Sequence, residues 1–152
     1  MTLKGDALPG IDHVLRYVRR KHVDRRDGKE DITGSGFLPR SGEGTPSVNW
    51  MECFDLPIEN QIEKIRAERR IKYERKSKLA RLNVSVAIER VNRETAVSIG
   101  FVYDPEDATA DYCAHTSHSI VTGVPEESEP MGELIGDLLR ECVLGTYDPV
   151  VD

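Results

Sequence analysis

Basic residues all but vanish from the last third of this chain. After position 93 only Arg140 is basic, against 13 acidic residues, whereas residues 1–93 carry 20 basic and 14 acidic ones. The net charge of -6 therefore hides a section of +6 followed by a section of -12. That split excludes a uniformly basic nucleic-acid binder and a uniformly acidic tail protein. Long apolar runs are missing too: nothing approaches the roughly 20 residues that cross a bilayer. The first residues, Met1-Thr2-Leu3-Lys4-Gly5-Asp6, hold no apolar core of a secretory leader. Cysteines number three, at positions 53, 113 and 142, with no CxxC. This is no disulfide framework, and it predicts free thiols in a soluble, cytoplasmic, bacterial-type protein. The chain also lacks a GxxxxGK[ST] phosphate loop, a GxSxG elbow and any internal repeat.

What is present suits one α+β domain. The 152 residues are 38% hydrophobic, enough for one core. Ile11–Val18 matches both strand and helix spacing, and its Val and Tyr favour a strand. A charged stretch, 19–31, carries the turn signal Asp27-Gly28, and Ile32–Leu38 reads as a second strand loosened by glycines. Ser47–Trp50 reads as a short strand or turn with the only Trp. A helix is expected from Pro57 to Lys76, capped by Asp55 and buried along Ile58, Ile62 and Ile65. A strand near Leu79–Val86, a short helix over Ser85–Glu94, and strands at Val97–Tyr103 and Ser117–Val124 follow. A C-terminal helix is expected over Glu129–Leu144. Residues 1–10 and 145–152 read as loose ends. The whole predicts a largely antiparallel sheet with a basic central helix and an acidic C-terminal one.

Four groups of residues carry candidate chemistry. Cys113, His115 and His118 have zinc-compatible side chains, but no second ligand pair sits at a recognised distance. On an extended strand His115 and His118 would face opposite sides, so no metal and no cofactor is expected. Second, Arg16 on a first strand, the Ser47–Trp50 segment and Glu52 resemble, by residue type, the arginine-, serine- and glutamate-dependent ADP-ribosyltransferases. That resemblance implies Arg16 on a phosphate, Ser47 at a nicotinamide pocket and Glu52 at the reacting centre. The family's Ser-Thr-Ser strand is absent, and its Glu-x-Glu or Gln-x-Glu spacing falls only at Gln61–Glu63 and Glu127–Glu129. Third, Gly34-Ser35-Gly36 could let backbone N–H groups approach a phosphate, although glycines tolerated in a strand or bulge explain it more simply. Fourth, Lys64, Arg66, Arg69, Arg70, Lys72, Arg75 and Lys76 line the expected helix, interleaved with glutamates. Such a face can be a solvated, salt-bridged helix, dock an acidic protein or neutralise phosphates. The nearby acids Asp104, Glu106 and Asp107 read as a solvated loop able to meet a cation.

Three blocks in order, His13–Val18, Gly36–Arg40 leading into Ser47–Glu52, and Ser117–Pro125, are similar to short bacterial proteins of mobile-element or anti-phage gene neighbourhoods. The resemblance covers less than a fifth of the chain and brings no activity, cofactor or catalytic residue. It implies a stand-alone cytosolic domain that acts beside other proteins. The long basic helix and the Cys113–His118 loop depart from it.

These observations favour a non-enzymatic accessory protein that binds a protein partner, in a defence or toxin–antitoxin setting. Opposite charges on two faces would steer that partner or another copy of the chain. The alternative is a small enzyme acting on a nucleotide or nucleic acid, with His13, Arg16, Ser47, Glu52 and His118 in one pocket, Arg16 on the phosphate and His118 as general acid and base. A third reading is nucleic-acid binding through residues 64–81.

Overall fold

Hydrophobic residues on both sides of one strand organise the molecule. The structure is a computed structural model and describes residues 1–151. Strand β1, His13–Val18, is buried at every position but the first, so helical spacing gives way to a central strand covered on both faces. It pairs antiparallel with β4, Ser47–Trp50, and with β5, Lys78–Asn83. β4 pairs with β7, His118–Thr122, which pairs with β6, Gly100–Tyr103. β8, Gly145–Tyr147, completes the sheet beside β5. The order is β6-β7-β4-β1-β5-β8, antiparallel throughout, with a separate hairpin of β2, Val23–Arg26, and β3, Lys29–Ile32. The result is a single α+β domain.

The period-two alternation of β1 assigns its side chains to two sides. Val14 and Val18 join Val48, Ala80, Leu82, Phe101 and Val121 in the larger core. Helices α2, Val84–Glu94, and α3, Pro130–Glu141, cover that side with Ala87, Val91, Ile135 and Leu139. Leu15 and Tyr17 point the other way, into a smaller core with Met51, Leu79 and Tyr73, covered by Ile62 and Ile65 of α1, Ile58–Glu68.

The expected helix over Pro57–Lys76 is cut short. Asp55 does not cap it; the carbonyl of Pro57 accepts from the amides of Asn60 and Gln61. α1 ends at Glu68, and Arg69 turns extended, because the next residues serve the sheet. Tyr73 is buried and stacks on Tyr17, ring centroids 4.5 Å apart, while the Tyr17 hydroxyl accepts from the amide of Glu74 at 2.8 Å. A straight helix would carry Tyr73 away. The basic central helix therefore does not exist as one face: only Lys64 and Arg66 lie on α1, and Arg69, Arg70, Lys72, Arg75 and Lys76 follow it in irregular chain.

Three further expectations change. Ile32–Leu38 is not one strand, since Gly34–Phe37 form a 3₁₀ turn. Its backbone presses on α3: a Cβ on Gly136 would meet the Gly34 carbonyl oxygen at 2.5 Å. The glycines there permit close packing between chain segments. The charged 19–31 stretch contains a hairpin, turned by Asp27 and Gly28 at φ 52° and 73°. With only Val23 and Ile32 buried, it has almost no apolar alternation to announce it. The ends are tied down as well. Leu8 is buried and its amide reaches the carbonyl of Phe101 at 2.9 Å, while residues 145–147 pair with β5.

The two charge sections do not form separate faces. Arg70 pairs with Glu106, Lys78 with Asp148, Arg90 with Glu141 and Asp31 with Arg140. The antiparallel sheet interleaves early and late strands and so brings opposite signs together. No helix among the described residues is long and apolar enough to cross a membrane.

Candidate functional site

Beyond the end of α1 the smaller core gives way to polar side chains. Register puts Leu15 opposite Asn49, and Asn49 opposite His118. Ser47, Asn49 and His118 therefore share the α1 side of the sheet with Leu15 and Tyr17. Residues 69–73 wall this area after leaving the helix, and the loop holding Glu106 and His115 closes it. The cavity measures about 130 Å³.

His118 has a defined orientation. Its Nδ1 lies 2.7 Å from the backbone carbonyl of Asp104, which can only accept, so Nδ1 carries the proton. The carboxylates of Asp104 and Glu106 stand 3.3 and 3.5 Å from the same nitrogen. Nε2 is left as an acceptor and faces the Ser47 hydroxyl at 3.2 Å. Ser47, His118 and Asp104 thus form the nucleophile–base–orienter chain that activates a hydroxyl.

His115 is buried beside it, ring centroids 5.1 Å apart. Its Nε2 donates to Asn49 Oδ1 at 2.9 Å, and the Ser117 hydroxyl donates to the same oxygen at 3.1 Å. Burial first, and then the neighbouring His118, push the His115 pKa down to about 4. The ring is neutral at pH 7, and its buried Nδ1 has no hydrogen-bond partner among the described residues.

Three arginines supply the opposite charge. Arg70 donates to Glu106 at 3.2 Å and to the carbonyl of Cys113 at 3.1 Å. Arg40 lies over the Tyr17 ring and Arg69 over the Tyr73 ring, 5.5 and 5.6 Å from the centroids. The stacked tyrosines are thus capped by a guanidinium on each side. Burial raises the Tyr73 pKa to about 12, so its hydroxyl stays neutral.

The expected pocket of His13, Arg16, Ser47, Glu52 and His118 divides into three places. Ser47 and His118 meet. His13 and Glu52 meet each other instead, Nδ1 to Oε2 at 2.6 Å, and neither lines this cavity. Arg16 points to the opposite side of the sheet and is 1% exposed. Its Nε donates to Gly36 and its two amino groups to Ser47, Leu38 and Glu43, which occupies all five N–H bonds. It has none left for a phosphate. Arg40, on the loop that Arg16 anchors, is the cation that reaches the cavity.

The expected separation of His115 and His118 fails because the strand begins only at His118, and the preceding chain folds His115 inward. Cys113 is exposed, its sulfur turned toward the carbonyl of Ala67. Among the described residues no three His, Cys, Asp or Glu side chains are placed to hold a metal. Of the basic run, Arg69 and Arg70 line the cavity, Lys64, Arg66, Lys72, Arg75 and Lys76 do not. Arg40 and Asn49 lie inside the blocks Gly36–Arg40 and Ser47–Glu52 but were assigned no role from the sequence. Two polar residues on one face of a buried strand, Ser47 and Asn49, are the signal that points to Asn49.

Against protein-family models, curated proteins and solved structures, the chain finds no match.

Proposed function

We propose that this protein is a small hydrolase of phosphate esters, acting on a nucleotide or nucleic acid in the cavity between β4, β7 and residues 69–73. The observation that carries this reading is the Ser47 Oγ–His118 Nε2 contact of 3.2 Å, with His118 oriented by Asp104, facing three arginines. Planar guanidinium forks match phosphate oxygens, and they favour a phosphate over an uncharged ester. The cavity of about 130 Å³ is close to the ~150 Å³ that encloses a benzene, so it admits a phosphoryl group and leaves the rest of the ligand outside.

The chemistry balances on this chain's own groups. Ser47 Oγ attacks phosphorus while its proton passes to His118 Nε2. The ester P–O bond breaks, and the leaving oxygen takes that proton. Water then attacks the phosphoserine, giving a proton to His118, and the Ser47 oxygen recovers it as the P–O bond breaks. Arg40, Arg69 and Arg70 stabilise the charge that develops on the phosphoryl oxygens. The accessory-partner reading rested on the sign-split charge and the lack of a complete catalytic set; pairing between the two charge sections, and the Ser47–His118 contact, favour the present reading over it.

The test uses bis(p-nitrophenyl) phosphate and p-nitrophenyl acetate as substrates. The phosphodiester should be turned over and the acetate spared. His118→Ala and Ser47→Ala should each lower turnover by about 10²–10⁴-fold, the usual yield of a positioned base and its nucleophile. Absence of phosphodiester turnover in the wild-type protein, or unchanged rates in both variants, overturns the proposal.

A further inference from the structure

The cavity is the first of three depressions that share lining residues, and the other two are basic. Tyr17 and Arg40 line both the cavity and a neighbouring hollow of about 160 Å³. Arg19 and Lys21 line that hollow and also a wide, shallow surface of about 580 Å³ that continues to Arg20 and Arg25. Arg19 and Lys21 flank and enter the 3₁₀ turn Arg20–His22 that links β1 to the hairpin. Glu127 and Glu74 are the acidic side chains lining this path beyond the cavity. Elsewhere the early basic section pairs with the late acidic one, but Arg19, Arg20 and Lys21 make no side-chain hydrogen bond or ion pair among the described residues.

A run of cations leading away from a phosphate-sized pocket, with Arg40 and Arg25 paired to Glu43 and Glu30 but Arg19, Arg20 and Lys21 between them unneutralised, suits a polymer with a charge at every unit. Neutralising each phosphate releases counterions, and this supplies sequence-independent affinity. The path offers little to a protein partner, because protein interfaces are anchored by buried apolar and aromatic side chains. The large apolar side chains exposed on this molecule lie elsewhere, with Ile71 alone at the rim of the cavity.

We propose that the substrate is a single-stranded nucleic acid, with one phosphate in the Ser47–His118 cavity and the flanking phosphates along Arg40, Arg19, Lys21 and Arg20. This rests on the phosphoesterase reading of the cavity. A single strand is required because the reacting phosphate must enter a concave site that the rod of a duplex cannot reach.

Fluorescence anisotropy with a labelled 12-nucleotide oligo(dT) or oligo(U) tests it, beside turnover of bis(p-nitrophenyl) phosphate. With three or four phosphates neutralised, log affinity should fall against log salt with a slope of about -2 to -3. The double variant Arg20→Glu/Lys21→Glu, exposed on the 3₁₀ turn and outside the catalytic set, should bind at least tenfold more weakly, yet turn over the small diester at the wild-type rate. Small-diester turnover without oligonucleotide binding overturns the strand and leaves the phosphoesterase intact. Oligonucleotide binding without any turnover overturns the phosphoesterase reading instead. Unchanged affinity in the double variant overturns the path, as does equal competition by polyglutamate, which would mark a surface for acidic polypeptides.

Discussion

The two sides of the central sheet do different work. The side under α2 and α3 is a nearly continuous apolar core, with Phe101, Ile135 and Leu139 2% exposed or less. The side under α1 is apolar only as far as Ile62, Ile65, Leu15 and Leu79 reach; past them, Ser47, Asn49, His115 and His118 occupy positions that packing alone would fill with Val or Leu. Burying polar groups costs free energy unless each finds a partner. Asn49 and Ser117 satisfy one another and His115, but the His115 Nδ1 has no hydrogen-bond partner among the described residues. The apolar packing is mainly on one side, and the other carries the candidate site.

The largest expected effect lies on the apolar side. Phe101→Ala opens a cavity among fully buried neighbours and should cost about 3–5 kcal/mol. His118→Ala, at a side chain 13% exposed, should cost less, about 1–3 kcal/mol for the hydrogen bonds to Asp104 and Ser47 that it removes, while abolishing the proposed activity. Urea unfolding of both variants measures the contrast. Equal losses would mean that the polar side is as much a part of the core as the apolar one.

That contrast also explains what could be read in advance. The apolar side announces itself through periodicity. β6, β7 and α3 follow from alternating or 3–4 spaced hydrophobic residues, β1 from the strand preference of its Val and Tyr where the spacing fits both templates, and β4 stays open between strand and turn; α2 is capped by Asn83, whose side chain accepts from the Val86 amide at 2.9 Å. The polar side has no such code. Basic residues continue the helical rhythm past Glu68, so nothing local ends α1; the stack of Tyr73 on Tyr17, more than fifty positions away, ends it. The same holds for His115, whose place is set by Asn49 across the sheet. Ser47 and His118 were legible as residue types, but their meeting depends on a β4–β7 register that no short motif records.

Arg16 is the exception on the apolar side, and it gives the second prediction. Burial and the nearby Arg40 lower its pKa to about 10, still far above neutrality, so a full charge sits there at pH 7. Burial also pushes Glu43 up, but the charge of Arg16 more than offsets this and holds the Glu43 carboxyl below its ordinary value. Arg16→Met leaves Glu43 and the carbonyls of Gly36, Leu38 and Ser47 without that donor. Removing one partner of a buried pair costs about 3–5 kcal/mol, and the low end, about 3, is expected because Arg40 remains beside Glu43. The loop carrying Arg40 and Ser47 should loosen as well, so amide exchange over residues 36–47 should rise along with the loss of stability. A loss of stability with unchanged exchange there would confine Arg16 to the core and remove its role in positioning the site.

The smallest effect is a pH dependence that belongs to the polar side alone. An unfolded histidine titrates near 6.5, and the folded His115 is held down to about 4. As pH falls, the unfolded chain takes up this proton first, so the folded state loses stability on the way from about 6.5 to about 4 and regains it on return. At roughly 1.4 kcal/mol per pH unit the loss has a ceiling of about 3 kcal/mol. His22 is lowered in the same direction, mainly by burial, so the wild-type curve contains both. His115→Gln keeps an N–H for Asn49 and has no proton to gain. Its stability should change less with pH than the wild type's, and the difference between the two urea-midpoint curves from pH 7 to pH 4 isolates His115. Parallel curves would mean that the ring accepts a proton in place, with Glu106, 3.8 Å from Nδ1, as its counter-ion. The polar side would then hold a charged His115 beside Glu106 at mildly acid pH.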